Sequence, residues 1–397
     1  MKDYDGRDAV GSDRSIKTLL VAANLNLEGA AFSQYELTKV LCKQRVIEPA
    51  VYAAEDGPLR ALYEELGLKV TLWPTRGCRP TDLAGYEDDV AWLRQEMRRI
   101  ATELVYANTW PLFGVIEAAH RESLPSVWNL RDSIDWKREY ATYGSSVAER
   151  AYRCYEYPHR VIFVSQATAC LFEELNTQKN FMVIHNGLDR GRLYRNLQPW
   201  PREKARQALG LLPGQLAAVT VGTVCERKGQ MDLLDAVEQL EDAVLDRTRF
   251  FLVGGTDNEY SRQIRRRQAE NRRLDAVRLV TETRDPACYY AAADLFVFCS
   301  RNESFPRVIL EAMACQLPVV TTPVHGVVEQ VEEHGNALFY SPGDSGALAR
   351  QITTVVTDDA LRSRMVACSL PVLDRINDYR EMASKYAAVF RAAGSGV

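Results

Sequence analysis

Two glutamates eight positions apart, Glu303 and Glu311, bracket the stretch Ser304-Phe305-Pro306-Arg307-Val308. Just upstream, Asp294-Leu-Phe-Val-Phe-Cys299 is short, apolar and rich in aromatic and β-branched residues, the composition of a buried strand. A helix is expected to start near Ser304, a good N-cap residue, with Pro306 tolerated in the first turn. The backbone from Phe305 to Val308 would then face out of the strand's carboxyl end and attract an anion, phosphate above all.

Eight residues of helix span about 12 Å. A retaining glycosidase pair needs roughly 5 Å and an inverting pair at most about 9.5 Å, so the spacing argues against hydrolysis by these two acids. Hydroxyl recognition fits better. Each carboxylate accepts hydrogen bonds from sugar hydroxyls, and the helix end takes a phosphate between them. Ribose, diphosphate and hexose, in that order, make a nucleotide sugar. A solvated loop Glu beside a surface-helix Glu is the plain alternative, and the E-x7-E spacing alone leaves it open.

A second group of candidate residues follows the apolar strand Leu216–Gly222: Thr223-Val-Cys-Glu226-Arg227-Lys228-Gly229-Gln230. Two cations and a glycine thus lie at a strand's carboxyl end. Lys228 is a point charge able to neutralise a diphosphate, and Arg227 can add a fork. Near the start, the strand Ile16–Ala23 leads through a loop from Asn24 to Ala31, turning at Gly29, to a helix with Phe32, Leu37, Val40 and Leu41. Strand, glycine loop and helix open a dinucleotide-type α/β unit. The strand Ser126–Leu130 ends at Arg131-Asp132-Ser133, which puts a fixed cation where α/β ligands bind.

These sites need a frame, and the apolar runs supply one. Strands are expected at Ile16–Ala23, Pro49–Ala54, Lys69–Trp73, Leu104–Thr109, Ser126–Leu130, Val161–Val164 and Phe181–Ile184. A second series runs Leu216–Gly222, Phe250–Gly255, Arg278–Thr281, Asp294–Cys299, Pro318–Thr321 and Leu338–Tyr340. Helical periods fall between them, the pattern of parallel sheets. Apolar residues at 86, 90, 93, 97, 100 and 104 predict one helical face, with Arg94, Arg98 and Arg99 mostly off it. Those arginines read as a solvated face, or as a basic edge for anionic lipid. Asp135–Gly144, polar and aromatic, suits an acceptor-facing loop. The arginine-rich helix around Arg262–Arg273 lacks interleaved aromatics and is flanked by acids, so it reads as solvated rather than RNA-binding.

The 397 residues are too many for one core and suggest two domains. A net charge of −4 gives no global case for nucleic-acid binding. No apolar run approaches the length of a membrane span. Residues 1–15 are polar, lack the apolar core of a signal peptide and read as a disordered leader. Nine scattered cysteines and five histidines form no ligand spacing, which suits free thiols in a reducing cytosol. No Asp-x-Asp follows an apolar strand, so a metal-bridged diphosphate is not required.

Ser300-Arg301-Asn302-Glu303-Ser304-Phe305-Pro306, Glu311-Ala312-Met313-Ala314, Leu317-Pro318-Val319-Val320 and Gly326…Glu329 resemble the signature of retaining GT-B glycosyltransferases, family 4 (glycosyl transferases group 1). His185-Asn186-Gly187-Leu188-Asp189 is similar to that family's Asn-Gly-x-Asp turn. The resemblance covers nearly the whole chain after residue 16. It implies a GT-B fold: two Rossmann-like domains facing across a cleft, with a closing helix from about Tyr379 crossing back to the first. The domains would be 16–190 on the acceptor side, with 374–397 added, and 215–373 on the donor side, joined by the polar linker 191–214.

The resemblance also implies roles. Glu311 binds the ribose, and Glu303 orients the hexose. Lys228, helped by Arg227, and the amides from Phe305 to Val308 stabilise the departing diphosphate, with Ser304, Pro306 and Arg307 counted in the donor-binding stretch. Gly29 and Ala30 fall where the family's loop approaches the diphosphate and the acceptor. Arg284, in Glu282-Thr-Arg-Asp285, lies near the nucleobase. Two positions depart from the pattern. Arg131 stands where many members have a histidine that reaches the donor sugar, and domain closure would complete its site. Thr223 stands at the position of an upstream arginine, for which Arg227 or Arg307 is expected to compensate.

The implied activity is metal-independent, cofactor-free transfer of a hexosyl group with retention. The donor would be a nucleoside-diphosphate sugar, UDP-linked by expectation. The acceptor would be a glycan, a lipid-linked molecule or a small molecule, met in the cytoplasm or at the inner membrane face through peripheral contact. The rival readings are a nucleotide-sugar epimerase on the same fold and a scaffold that binds the nucleotide sugar without transferring it.

Overall fold

The computed structural model of the chain describes residues 14–73, 80, 82–283, 285–376 and 378–395. Arg284 and most of the expected leader, residues 1–13, lie outside the described residues. Contacts divide the chain into two units. The first runs to Ile162 and adds Phe172–Met182 and the segment from Ala383 onward; the second is Phe163–Leu171 with Val183–Met382.

The first unit is built on β1 (Ile16–Asn24), β2 (Ile47–Glu55), β3 (Val70–Leu72), β4 (Leu104–Asn108), β5 (Ser126–Leu130), β6 (Arg160–Phe163) and β7 (Phe181–Val183). Their order in the sheet is β3-β2-β1-β4-β5-β6-β7. β1 pairs in parallel with β2 and β4, in the registers Leu20 with Val51 and Leu20 with Tyr106. Leu19, Leu20 and Val21 are wholly buried, because helices cover both faces of a parallel sheet and leave no wet side. The last helix is Tyr379–Ser395, and its residues from Ala383 onward lie with this unit. Phe390 sits 5.3 Å from Tyr106, ring centre to ring centre, and Asn129 Nδ2 donates to Tyr386 Oη at 2.8 Å.

The second unit carries β8 (Leu216–Val221), β9 (Thr248–Gly255), β10 (Val277–Thr281), β11 (Leu295–Phe298), β12 (Val319–Thr321) and β13 (Ala337–Phe339), in the order β10-β9-β8-β11-β12-β13. Strand β11 feeds two cores at once. Phe296 and Phe298 pack with Ile309, Leu310 and Met313 on one face; Leu295, Val297 and Cys299 pack with Leu233 and Leu234 on the other. All thirteen expected strands are present, with ends shifted by a residue or two.

Four expectations about elements need correction. The helix read over 86–104 is Leu83–Arg99; Ala101, at φ 51°, ends it, and Leu104 opens β4. The helix expected to begin near Ser304 begins at Arg307. The polar stretch after Arg190 holds two helices, Arg190–Leu197 and Arg202–Ala208, the second pinned when Arg202 and Arg206 pair with Asp294 at 2.5 and 3.0 Å. Asp135–Gly144 is no open loop: Trp136–Ala141 is helical, and Tyr140 and Tyr143 are buried against Trp110 and Phe113.

Candidate active site

In both sheets the strand order reverses beside the first strand of the series. In open α/β sheets ligands bind outside the carboxyl ends of the strands at that point. In the second unit the reversal lies between β8 and β11, and Arg227, Lys228 and the run 303–308 follow those two strand ends.

The β8 loop ends in a single turn, Glu226–Lys228, capped by Gly229 in the left-handed conformation at φ 64°. A Cβ at Gly229 would lie 2.3 Å from the carbonyl oxygen of Cys299, so the two loops meet backbone to backbone. Arg301 N donates to Arg227 O at 2.8 Å and closes the join. This contact brings together side chains that are 75 and 76 residues apart. Lys228 Nζ donates to Glu303 Oε1 at 2.5 Å, and Arg227 Nη1 donates to the same oxygen at 2.8 Å. Ser300 Oγ also donates to it at 2.8 Å. Lys228 lies 5.1 Å from the centre of the Phe298 ring, with its side chain 14% exposed; the Arg227 side chain is 53% exposed. Burial pushes the Glu303 carboxyl up, but the charges of Lys228 and Arg227 outweigh it and hold the group below its ordinary value. Glu303 is therefore ionised at neutral pH.

The helix that follows, Arg307–Ala314, has Pro306 as its N-cap. Ser304 is not the cap. It lies with Phe305 before the helix, because Asn186 Nδ2 donates to Phe305 O at 2.8 Å and Gln330 Nε2 to Pro306 O at 2.9 Å. Phe305 is buried and stacks on His185 at 4.7 Å, so its side chain belongs to the packing. The first-turn amides, which a helix cannot bond internally, are those of Arg307, Val308 and Ile309; of the expected run, Phe305 lies before the helix and Pro306 has no N–H to give. Glu311 lies on the next turn, where buried Tyr290 Oη donates to its Oε2 at 2.9 Å. Burial and then the Glu311 charge push the Tyr290 phenol far up, so it stays a donor.

Behind this strand end, Gly326 approaches so closely that a Cβ would fall 1.6 Å from Ser304 O. Glu329 follows it. Its carboxylate accepts from the amides of Gln166 and Ala167 at 3.0 and 2.7 Å and meets His185 Nε2 at 2.9 Å. Burial raises this carboxyl, but His185 and the two amides lower it further. The motif contained Ser300 and Glu329 without giving them a role. No sequence signal marked Tyr290, 21 residues from its partner.

In the first unit the strand order reverses between β1 and β4, and there a pocket of about 330 Å³ opens. Ala30 lines it; Gly29 does not. Gly29 instead starts the helix Gly29–Lys43, with open space around it and ordinary backbone, so nothing in the packing demands glycine there. Arg131 Nε donates to Asn108 Oδ1 at 2.9 Å, and Asn108 Nδ2 donates to Ala30 O at 3.0 Å. The guanidinium thus stands over a buried layer holding Tyr106 and Tyr386, whose phenols burial pushes up and the Arg131 charge pulls back.

The other charged stretches are engaged in ion pairs. Arg94 and Arg98 pair with Glu122, and Arg99 with Glu96. Arg262 and Arg266 pair with Glu259, and Arg267 with Asp235 and Glu238. Among the described residues, no helix is long and apolar enough to cross a membrane, and no three His, Cys, Asp or Glu side chains gather as a metal site.

Two parallel-sheet Rossmann-like units with these strand orders make a GT-B fold. HepE of Anabaena has it: its complex with UDP and glucose matches at TM-score 0.75 and 25% identity over 94% of this chain and 98% of that one. The family model for Glycosyltransferase Family 4 matches residues 27–192, and that for Glycosyl transferases group 1 matches residues 201–368. The chain belongs to the GT-B glycosyltransferases. Among curated proteins it is similar to the lipopolysaccharide core biosynthesis glycosyltransferase LpsE of Rhizobium meliloti: 31% identity over 147 residues, 37% of this chain and 41% of that one. It is also similar to D-inositol 3-phosphate glycosyltransferase 1 of Catenulispora acidiphila: 30% over 224 residues, 54% and 52%. The matches span about half or less of these relatives.

Proposed function

We propose that the chain transfers a hexosyl group from a UDP-sugar to a hydroxyl of a glycan or lipid-linked acceptor, with retention and without a metal. The observation that carries this reading is the cluster Lys228–Glu303–Arg227, set beside the amino end of Arg307–Ala314 at a sheet's switch point. Cations and helix amides together form a site for a diphosphate. UDP and glucose bound to HepE, and the lipopolysaccharide named for LpsE, support the choice of donor and acceptor class.

In this mechanism the bond from the sugar's C1 to the diphosphate oxygen breaks, and its electron pair leaves with UDP. Lys228, Arg227 and the amides of Arg307 to Ile309 stabilise that charge. The acceptor oxygen forms the new bond to C1 on the same face, and its proton passes to the departing diphosphate. Glu303 binds hexose hydroxyls, which requires Lys228 to turn from the carboxylate toward the phosphates as donor enters. Glu311, oriented by Tyr290, takes the ribose hydroxyls. Arg131 is assigned the part that the family resemblance gives to a histidine, donation to the transferred sugar.

The test is UDP release from a UDP-hexose panel in the presence of chelator. Lys228→Ala should lower turnover about 10²- to 10³-fold, the cost of one preorganised charge donor. Wild-type rates for both Lys228→Ala and Glu303→Ala would remove the mechanism, and NMR of the released sugar reads out any epimerisation.

A further inference from the structure

Glu329 belongs to the motif, yet the donor chemistry above gives it no part. It joins three pieces of the second unit that are far apart in the chain. Its Oε1 accepts from Ala167 N at 2.7 Å and its Oε2 from Gln166 N at 3.0 Å, and His185 Nε2 lies 2.9 Å from Oε2. Burial raises the carboxyl, and His185 with the two amides more than offsets that. The group is therefore charged at neutral pH, and its hydrogen bonds are of the strong, charge-assisted kind.

What these contacts hold is the backbone just before the helix Arg307–Ala314. Ser304, Phe305 and Pro306 belong to no helix or strand, so only their neighbours fix them. His185 stacks on the Phe305 ring at 4.7 Å, the planes 9° apart. Asn186, next to His185, donates to Phe305 O at 2.8 Å; Gln330, next to Glu329, donates to Pro306 O at 2.9 Å. Gly326, in the same single turn as Glu329, lies against Ser304 O. That turn, His325–Glu329, starts with His325 at φ 41°, a left-handed conformation that a residue other than glycine seldom adopts. Strain of this kind collects at functional sites. Three successive carbonyls are thus fixed by the two segments that Glu329 joins, and with them the direction in which the amides of Arg307, Val308 and Ile309 point.

We propose that Glu329 is a positioning residue of the donor site: by fixing His185 and the turn that carries Gly326, it aims the first-turn amides of Arg307–Ala314 at the nucleotide's diphosphate. The inference rests on the transferase reading above. Glu329 acts through other residues and needs no contact with the ligand. The body of the helix is held separately, since Leu310 and Met313 are wholly buried in the core. Losing Glu329 therefore lets the entry of the helix shift while Glu311, a turn further on, keeps its place beside Tyr290. The phosphates should feel the change, and the nucleoside should not.

The experiment measures UDP and uridine binding to the full chain, by titration calorimetry for UDP and ligand-observed NMR for uridine. Glu329→Ala should weaken UDP about tenfold or more, the loss of one hydrogen bond to a charged group, and leave uridine within about twofold of wild type. Glu329→Gln, which keeps an oxygen for one of the amides, should fall between. His185→Leu keeps an apolar side chain on Phe305 and cuts only the bond to Glu329, so it should lower the UDP-to-uridine ratio severalfold. Adding Glu329→Gln to His185→Leu should change that ratio by less than Glu329→Gln does alone, because partners in one network do not add. The inference is overturned if the ratio in Glu329→Ala stays within about twofold of wild type, or if both affinities fall together, as general loss of structure would make them. Should Glu329→Ala not fold, His185→Leu decides by the same two criteria. A wild-type chain that binds UDP while the variants keep its ratio removes only this inference. A wild-type chain that does not bind UDP removes the donor reading and this inference with it.

Discussion

Replacing Glu303 with alanine should make the empty protein less stable and its grip on UDP tighter. Three donors converge on Glu303 Oε1: Lys228 at 2.5 Å, Arg227 at 2.8 Å and Ser300 at 2.8 Å. Removing one partner of a buried ion pair costs about 3–5 kcal/mol, because the other charge stays buried alone. Lys228 fits that case at 14% exposure, but Arg227 at 53% is covered by water and adds little. The lower end, about 3 kcal/mol, is therefore the appropriate figure. For a unit of about 200 residues, each kcal/mol moves the midpoint by about 2–4 °C, so the second unit's transition should fall by about 6–12 °C.

UDP reverses the balance. A cation about 4 Å from a phosphate charge gains roughly 4 kcal/mol at an effective dielectric of 20. A third of that, about 1.4 kcal/mol, tightens binding about tenfold. Scanning calorimetry with and without UDP, joined to titration calorimetry, reads both effects, and transfer by the variant should still be lost. Glu303→Gln, which keeps the acceptor oxygen but not its charge, should fall between. A variant that melts within about 1 °C of wild type and binds UDP more weakly would show that the carboxylate does not hold the two cations.

Three further outcomes follow from the same geometry. Glu311→Gln should abolish discrimination between UDP and 2′-deoxy-UDP while leaving the deoxy nucleotide's affinity near that of wild type; competition binding checks it. Glu303 titrates below its ordinary value in the folded chain, so its stabilising contribution is complete above about pH 4.5 and disappears as pH falls through the folded value. The stability difference between wild type and Glu303→Gln should thus hold constant from pH 8 to about 5 and shrink below that, read by denaturant unfolding across pH. Gly326→Ala should cost at least the about 1–3 kcal/mol of overpacking, because the added carbon meets the Ser304 carbonyl at 1.6 Å rather than a movable side chain. UDP affinity should drop with it, since Ser304 must move.

Much of this protein could be read along the chain. Buried parallel strands are continuous apolar runs, so all thirteen were visible, and with them the two α/β units. Glu303, Lys228 and Glu311 stood out because a strand's carboxyl end, a glycine and a charge recur at short spacing. The helix cap was misjudged by two residues, Ser304 for Pro306, because the carbonyls of Phe305 and Pro306 are held by Asn186 and Gln330, distant side chains that override the capping preference of Ser304. The aromatic run from Asp135 looked like an open loop because nothing local reveals that Trp110 and Phe113 pack over Tyr140 and Tyr143.

The residue types and the order of elements are local properties, set by periodicity and composition, and the sequence alone determined them. Which charges neutralise one another is not local. Lys228 and Glu303 lie 75 residues apart and touch only because β8 and β11 are neighbours in the sheet and Gly229 lets their loops meet. The same holds for Glu329, which meets Gln166, Ala167 and His185 across 163, 162 and 144 residues. Strand pairing is a choice among distant segments, made by burying the whole sheet at once, and so only the tertiary structure decided the chemistry of the site.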